Sequence, residues 1–160
     1  MAICYVDFCS REEAQARAGH YAVAIISITD PDSPTAALVD GYFSVLRTSF
    51  HDILKPIDGY RLFDRHEAER MVLYLDWLHS LPYDIQLLCH CEAGVSRSAA
   101  VAVFAAALTR APFPKYPQAT LANRHVLSVL NGCQPGADAL APDPDPEVLA
   151  QIERLLRFSS

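Results

Sequence analysis

Short apolar runs separated by polar, turn-forming segments occupy the first two-thirds of this sequence. Runs such as YAVAIISI are typical of strands buried on both faces of a parallel sheet, and the pattern predicts strands over residues 2–8, 21–28, 41–50 and 84–89. Capping residues and apolar positions three to four residues apart predict helices over 11–18, 65–80, 99–110, 118–130 and 145–158. Strands that alternate with helices predict the α/β class: a three-layer sandwich whose central, mainly parallel sheet of about four to five strands is flanked by helices.

Polar residues stand where the predicted helices begin. Ser10 and Glu13 form an S-x-x-E capping box, which predicts a helix start directly after Ser10. Asp64 and Glu67 occupy the equivalent positions before the helix over 65–80, and we expect them to cap it.

The end of the chain is predicted to belong to the same domain as its beginning. The helix over 118–130 is expected to stop near Asn131-Gly132, a C-terminal signal. The Pro- and Asp-rich segment 134–146 is interpreted as a surface loop inside the domain, because the amphipathic helix after it needs a surface to cover. Residues 1–160 are therefore predicted to form a single domain.

Composition and charge indicate which classes of binding partner and cofactor to expect. The 160 residues are 51% hydrophobic and carry a net charge of −6, whereas nucleic-acid-binding proteins need a basic face, so we expect no nucleic-acid partner. No apolar run reaches the length of about 18 residues of a membrane span, and the first residues lack the pattern of a signal peptide. The five cysteines, an odd number, indicate free thiols and a cytoplasmic protein. Their spacing matches no metal-ligand set, so neither a metal nor another cofactor is expected.

The most informative stretch is HCEAGVSRS, residues 90–98, which lies between a predicted strand and a predicted helix. Ligands of α/β sheets bind beyond the carboxyl ends of the strands, where helix N-termini offer unpaired N–H groups. Gly94 supplies the backbone freedom that a ring of such amides needs, and Arg97 can grip two phosphate oxygens. The predicted phosphate-binding residues are Glu92, Ala93, Gly94, Val95, Ser96 and Arg97.

The same stretch carries a nucleophile. A thiol at a helix N-terminus beside an arginine ionises more readily than a free thiol, so Cys91 is expected to be a thiolate at neutral pH. A thiolate inside a phosphate cradle indicates covalent phosphoryl transfer. Ser98 is placed to hydrogen-bond the sulfur and to help it leave in a second step.

Residues 90–98 resemble the signature loop of the protein tyrosine phosphatase superfamily, and HCEAGVSRSA is especially similar to the dual-specificity phosphatases and small bacterial proteins related to them. The segment SFHDI and the helical second half resemble the bacterial group as well. The resemblance implies one phosphatase-like catalytic domain in which Cys91 is the nucleophile, Arg97 the phosphate clamp, Ser98 the thiolate stabiliser and His90 a positioner of Cys91.

Such a phosphatase also needs a general acid, because the leaving oxygen is a poor leaving group unless it is protonated. Asp52 is our candidate, since it lies just past a predicted strand on the same edge of the sheet as Cys91. Asp58 precedes Gly59 and is better explained as a turn residue, and Asp64 as a helix cap.

The sequence thus predicts a metal-independent phosphatase that hydrolyses phosphotyrosine on proteins or small phosphate monoesters, and it leaves open whether phosphoserine and phosphothreonine are substrates too. Three alternatives stay open: an inositol-phosphate or phosphoinositide phosphatase with the same chemistry, a non-catalytic phosphate-binding module, and a rhodanese-type sulfurtransferase or arsenate reductase. Glu92, an acidic residue inside the loop, weighs against the first of these. The physiological substrate and the oligomeric state stay open.

Overall fold

The strands form one parallel sheet. A computed structural model of the chain describes residues 2–143, 146, 147, 150 and 154. Within this part, four strands pair in the order β1-β4-β2-β3, all of them parallel. Their bounds are Ile3–Ser10 for β1, Val23–Thr29 for β2, Ser44–Ser49 for β3 and Ile85–Cys91 for β4. The four predicted strands are confirmed, and their number is the lower limit of the predicted four to five.

Helices cover both faces of the sheet, as a three-layer sandwich requires. The main core joins one face of the sheet to the helices α2 (Arg65–Ser80), α3 (Arg97–Thr109) and α4 (Arg124–Cys133). The short helix α1 (Arg11–Ala16) covers the other face, where Ala14 packs in a smaller cluster with Ile25 and Leu88. All seven residues of β2 are buried, which explains the uninterrupted apolar run that predicted this strand.

The predicted helix starts after Ser10 and Asp64 are confirmed, but the predicted capping role of Glu67 is not. The side chains of Ser10 and Asp64 accept hydrogen bonds from the backbone N–H groups of Glu13 and Glu67. The carboxylate of Glu67 does not cap α2 as predicted, because it pairs with arginine side chains instead.

The prediction of one helix over 118–130 is wrong. The segment divides into a 3₁₀ helix, Tyr116–Leu121, and α4, which begins after Asn123 and runs past Gly132 to Cys133. The side chain of Asn123 accepts a hydrogen bond from the backbone N–H of Val126, so this residue starts a new helix.

The segment after α4 is less exposed than a surface loop. Ala139 and Ala141 are buried, and the side chain of Asn131 hydrogen-bonds both the N–H and the C=O of Ala139. The predicted helix over 145–158 lies outside the described residues except for positions 146, 147, 150 and 154, which are helical. Among the described residues, no helix is both long and apolar enough to cross a membrane.

Candidate active site

The segments that follow three neighbouring strands converge at the carboxyl edge of the sheet. Residues 92–96 connect β4 to α3, Asp30 follows β2, and Phe50 and Asp52 follow β3. Because all strands are parallel, these segments lie on the same edge, where ligands of α/β folds bind. The 92–96 loop is the centre of the candidate site.

The backbone of this loop is shaped by close contact with the end of β1. Gly94 has a φ of +72°, a conformation that favours glycine. A Cβ at this position would lie 2.8 Å from the carbonyl oxygen of Cys9 and closer still to the backbone nitrogen of Ser10. The carbonyl of Glu92 accepts a hydrogen bond from the N–H of Arg11, whose guanidinium also pairs with the Glu92 carboxylate at 3.0 Å.

The backbone amides of the 92–96 loop are available to bind a ligand. Within the part of the chain that the structure describes, the backbone N–H groups of residues 93–96 donate to no protein acceptor. The side chain of Ser96, at the N-cap of α3, makes no capping hydrogen bond. Unpaired amides at a helix N-terminus attract anions, which is the property that a phosphate cradle needs.

Substitution of Gly94 by alanine should destabilise the protein more than the same change at Gly59. Both glycines have positive φ, so each alanine costs about 1–2 kcal/mol of unfolding free energy for its backbone conformation. Only Gly94 is also enclosed by backbone atoms, whereas nothing lies within 4 Å of a Cβ at Gly59. We expect Gly94→Ala to lose about 1–3 kcal/mol more than Gly59→Ala in urea unfolding, because the loop must move away from β1. Equal losses would contradict the close packing.

Cys91 is the last residue of β4, and its side chain is almost wholly buried. Its Sγ lies 3.1 Å from the Oγ of Ser98, which is in the first turn of α3. The structure therefore brings these two predicted residues into hydrogen-bond contact. A serine hydroxyl that donates to the sulfur stabilises a thiolate.

His90 hydrogen-bonds the backbone of Cys91. Its Nδ1 lies 3.3 Å from the carbonyl oxygen of Cys91, and its Nε2 lies 2.7 Å from the Oγ of Ser27. Since the carbonyl can only accept, Nδ1 carries the proton and Ser27 donates to Nε2. Burial lowers the pKa of His90, which favours this neutral form.

Arg97 is buried beneath the loop, where Asp30 and the end of β3 hold it. Its Nη1 donates to the Oδ1 of Asp30 at 2.7 Å and to the carbonyl oxygen of Phe50 at 2.6 Å. Its Nε is buried and has no hydrogen-bond partner among the described residues. A buried, unpaired guanidinium N–H is costly unless a ligand accepts from it, so this atom indicates an anion site.

The side chain of Asp52 forms a direct hydrogen bond with the 92–96 loop. Its Oδ1 accepts hydrogen bonds from the Oγ of Ser96 at 2.8 Å and from the Nδ2 of Asn123 at 2.7 Å. Asn123 also donates to the carbonyl of Ile53, and its backbone N–H donates to the carbonyl of Ser96. Asn123 thus joins the Asp52 segment and the start of α4 through its side chain, and the loop through its backbone N–H.

A cavity of about 420 Å³ opens beside Asp52. Leu54 and Leu121 line it together with Ser96 and Asn123, and Arg124 stands at the same cavity. This space lies next to the carboxylate that was predicted to protonate a leaving group. It is large enough for an aromatic side chain.

Two residues of the site were not predicted from the sequence. Asp30 follows β2 at the same sheet edge as Cys91, so the rule that selected Asp52 could have selected it too. Asn123 carries only the sequence signal of a helix cap, and its contact with Asp52 follows from the packing of α4 against α3. Among the described residues, no group of three or more His, Cys, Asp or Glu side chains could hold a metal ion.

Comparisons with known proteins give structural neighbours only. No protein-family model matches the sequence, and no curated protein matches it significantly. The chain is similar in structure to human DUSP28, with 17% identity, 96% of this chain and 95% of that chain covered, and a TM-score of 0.42. A single-residue variant of human DUSP28 gives 18% identity, coverage of 96% and 92%, and a TM-score of 0.41. A mouse protein assigned to the dual specificity phosphatases, complexed with zinc tungstate, gives 16% identity, coverage of 92% and 79%, and a TM-score of 0.42.

Proposed function

We propose that the chain is a metal-independent phosphatase that hydrolyses phosphate monoesters through a phosphocysteine intermediate. One combination supports this most strongly: residues 91–97 hold a buried cysteine sulfur, loop amides without a protein acceptor among the described residues, and the buried, unpaired Nε of Arg97. A cysteine with a purely structural role would not need unpaired donors in the same short segment. Asp52, fixed to the same loop, supplies the group that a leaving oxygen requires.

The first chemical step transfers the phosphoryl group to sulfur. The Cys91 thiolate attacks phosphorus, so that a sulfur–phosphorus bond forms while the phosphorus–oxygen bond to the leaving group breaks. The electron pair of the broken bond stays on the leaving oxygen, which takes a proton from Asp52. Arg97 and the amides of residues 93–96 hold the three remaining phosphoryl oxygens and stabilise their charge.

The second step returns the enzyme to its starting state. Water attacks the phosphocysteine, the sulfur–phosphorus bond breaks, and orthophosphate leaves. Asp52, now ionised, takes the proton from the attacking water. Ser98, at 3.1 Å from Sγ, stabilises the departing thiolate by a hydrogen bond. His90 holds the backbone carbonyl of Cys91 and acts as a positioning residue.

The cavity beside Asp52 favours aryl phosphates as substrates. Its apolar walls include Leu54 and Leu121, which suit the ring of a phosphotyrosine. The loop has no basic residue between Cys91 and Arg97 to attract further phosphates. We therefore place phosphotyrosine first, phosphoserine and phosphothreonine next, and inositol phosphates last.

The direct test is hydrolysis of p-nitrophenyl phosphate by the purified protein in excess EDTA. We expect turnover that EDTA does not reduce, that vanadate blocks, and that leaves a phosphate adduct on the peptide containing Cys91 after acid quenching. A panel of phosphopeptides and inositol phosphates, measured side by side, then ranks the substrates. Turnover that requires added metal, or sulfur transfer from thiosulfate to cyanide in place of phosphate release, would refute the proposal.

A further inference from the structure

A second cavity, with a polar lining, lies between residues of β2, of the edge strand β3 and of α2. Its volume is about 310 Å³, at the lower end of the range for small-molecule sites. Its walls carry three guanidinium groups and several hydroxyl groups: Arg47, Arg61, Arg70, Thr29, Ser33 and Thr35. Arginines and hydroxyls together are the donors with which proteins bind phosphate.

Among the described residues that line this cavity, the one carboxylate, Glu67, already has two arginine partners. Glu67 is 4% exposed, and its oxygens accept from Arg61 at 3.0 Å, from Arg70 at 2.9 Å and from the hydroxyl of Thr48 at 2.6 Å. The three arginines and one glutamate leave a local charge of +2, in a chain whose net charge is −6. The positive charge of the arginines that line the cavity therefore exceeds the negative charge of its buried carboxylate.

Arg47 provides the surplus cation. Among the described residues it pairs with no carboxylate, and its side chain makes one hydrogen bond, from Nη1 to the carbonyl of Ala36 at 3.1 Å. A guanidinium has five N–H donors, so four are left for a ligand or for water. Arg61 likewise uses one side-chain donor, on Glu67.

The cavity and the candidate active site share structural elements. Thr29 and Pro31 line the cavity, whereas Asp30 between them bonds Arg97 on the active-site side. Ser27 also lines the cavity, and its hydroxyl bonds His90, which in turn contacts the carbonyl of Cys91. The cavity and the candidate active site are therefore connected through hydrogen bonds of Asp30 and Ser27.

We propose that the Arg47–Arg61–Arg70 cavity is a second phosphate-binding site, distinct from the 92–96 loop. The phosphate group it binds belongs either to a second phosphorylated residue of the same substrate or to free orthophosphate. Phosphate binding at this site needs no turnover. The proposal can therefore be tested independently of the proposed phosphatase activity.

The test is a titration of ¹⁵N-labelled Cys91→Ser protein with inorganic phosphate, followed by two-dimensional NMR. We expect two groups of shifting amides with separate affinities, one within residues 92–98 and one within residues 29–35 and 47–49. Arg47→Gln should weaken phosphate binding at the second group about tenfold, because a charged hydrogen-bonding partner is lost, and leave the first group unchanged. Arg65→Gln, which removes the same charge from an exposed arginine outside the cavity, should change neither.

Shifts confined to residues 92–98, or equal affinities in Arg47→Gln and Arg65→Gln, would overturn the second site. A change only in Arg47→Gln confirms it. Comparison of singly and doubly phosphorylated peptides then identifies the source of the phosphate. A lower KM for the doubly phosphorylated peptide that Arg47→Gln removes assigns the site to substrate, and equal KM values assign it to orthophosphate.

Discussion

Cys91→Ser is expected to lower kcat toward p-nitrophenyl phosphate by at least about 10⁴-fold, because the reaction loses its nucleophile. A serine hydroxyl at the end of β4 keeps the size of the side chain and its hydrogen bond to Ser98, but it is far less ionised than a thiol near neutral pH. The loop amides and Arg97 are untouched by this change. The variant should therefore still bind phosphate, whereas its affinity for vanadate should fall, because vanadate bonds to the thiolate that the variant lacks.

The matched control is Cys4→Ser, which makes the same atomic exchange at an exposed cysteine on β1. Cys4 donates to the carbonyl of Ile85, a bond that serine can also make, so kcat should stay unchanged. Loss of turnover in both variants would point to a general effect of cysteine replacement. Wild-type turnover by Cys91→Ser would remove the phosphocysteine from the mechanism.

The centre of the site could be predicted because its signals are local in the sequence. A buried strand, a short loop with Gly94 and an alanine-rich helix follow one another within residues 85–109, and each shows its own pattern. The position of Asp52 followed from one further rule, that parallel strands end at the same edge of a sheet. Both inferences need the strands to be parallel and nothing about the packing of the helices.

Contacts that depend on helix packing could not be predicted in the same way. Asp30 meets Arg97 across 67 residues of sequence, and Asn123 meets Asp52 across 71. Apolar periodicity shows which face of a helix is buried, but it does not show which loop lies beside its first turn. The apolar pattern also runs on from residue 118 into α4, which concealed the helix start at Asn123.

The structure distinguishes the three candidate carboxylates by their contacts, which the sequence pattern does not show. In the sequence, Asp52, Asp58 and Asp64 are three loop carboxylates within thirteen residues. In the structure, Asp64 caps α2, and only Asp52 among the three bonds a residue of the 92–96 loop. The buried side chain of Asn123 also hydrogen-bonds that carboxylate, so Asp52 stays our candidate for the acid.

Asp52→Asn should lower kcat toward phosphotyrosine peptide by about 10²–10⁴-fold, the usual contribution of a general acid. The substitution is nearly isosteric, and its amide oxygen can still accept from Ser96 and Asn123. What is lost is the proton that the phenolic oxygen needs on departure. With p-nitrophenyl phosphate the leaving phenolate is stable without a proton, so the loss should be much smaller.

The difference between the rate losses on the two substrates distinguishes a proton donor from a structural residue. A merely structural role of Asp52 would lower both rates by the same factor, whereas a proton donor affects the poorer leaving group more. The decline of kcat at high pH, where the acid has lost its proton, should also disappear in Asp52→Asn. Asp58→Asn, at an exposed turn position six residues further on, should leave both substrates and the pH profile unchanged. Small and equal losses in Asp52→Asn would instead transfer the acid role to another carboxylate at the same edge, such as Asp30, which pairs with Arg97.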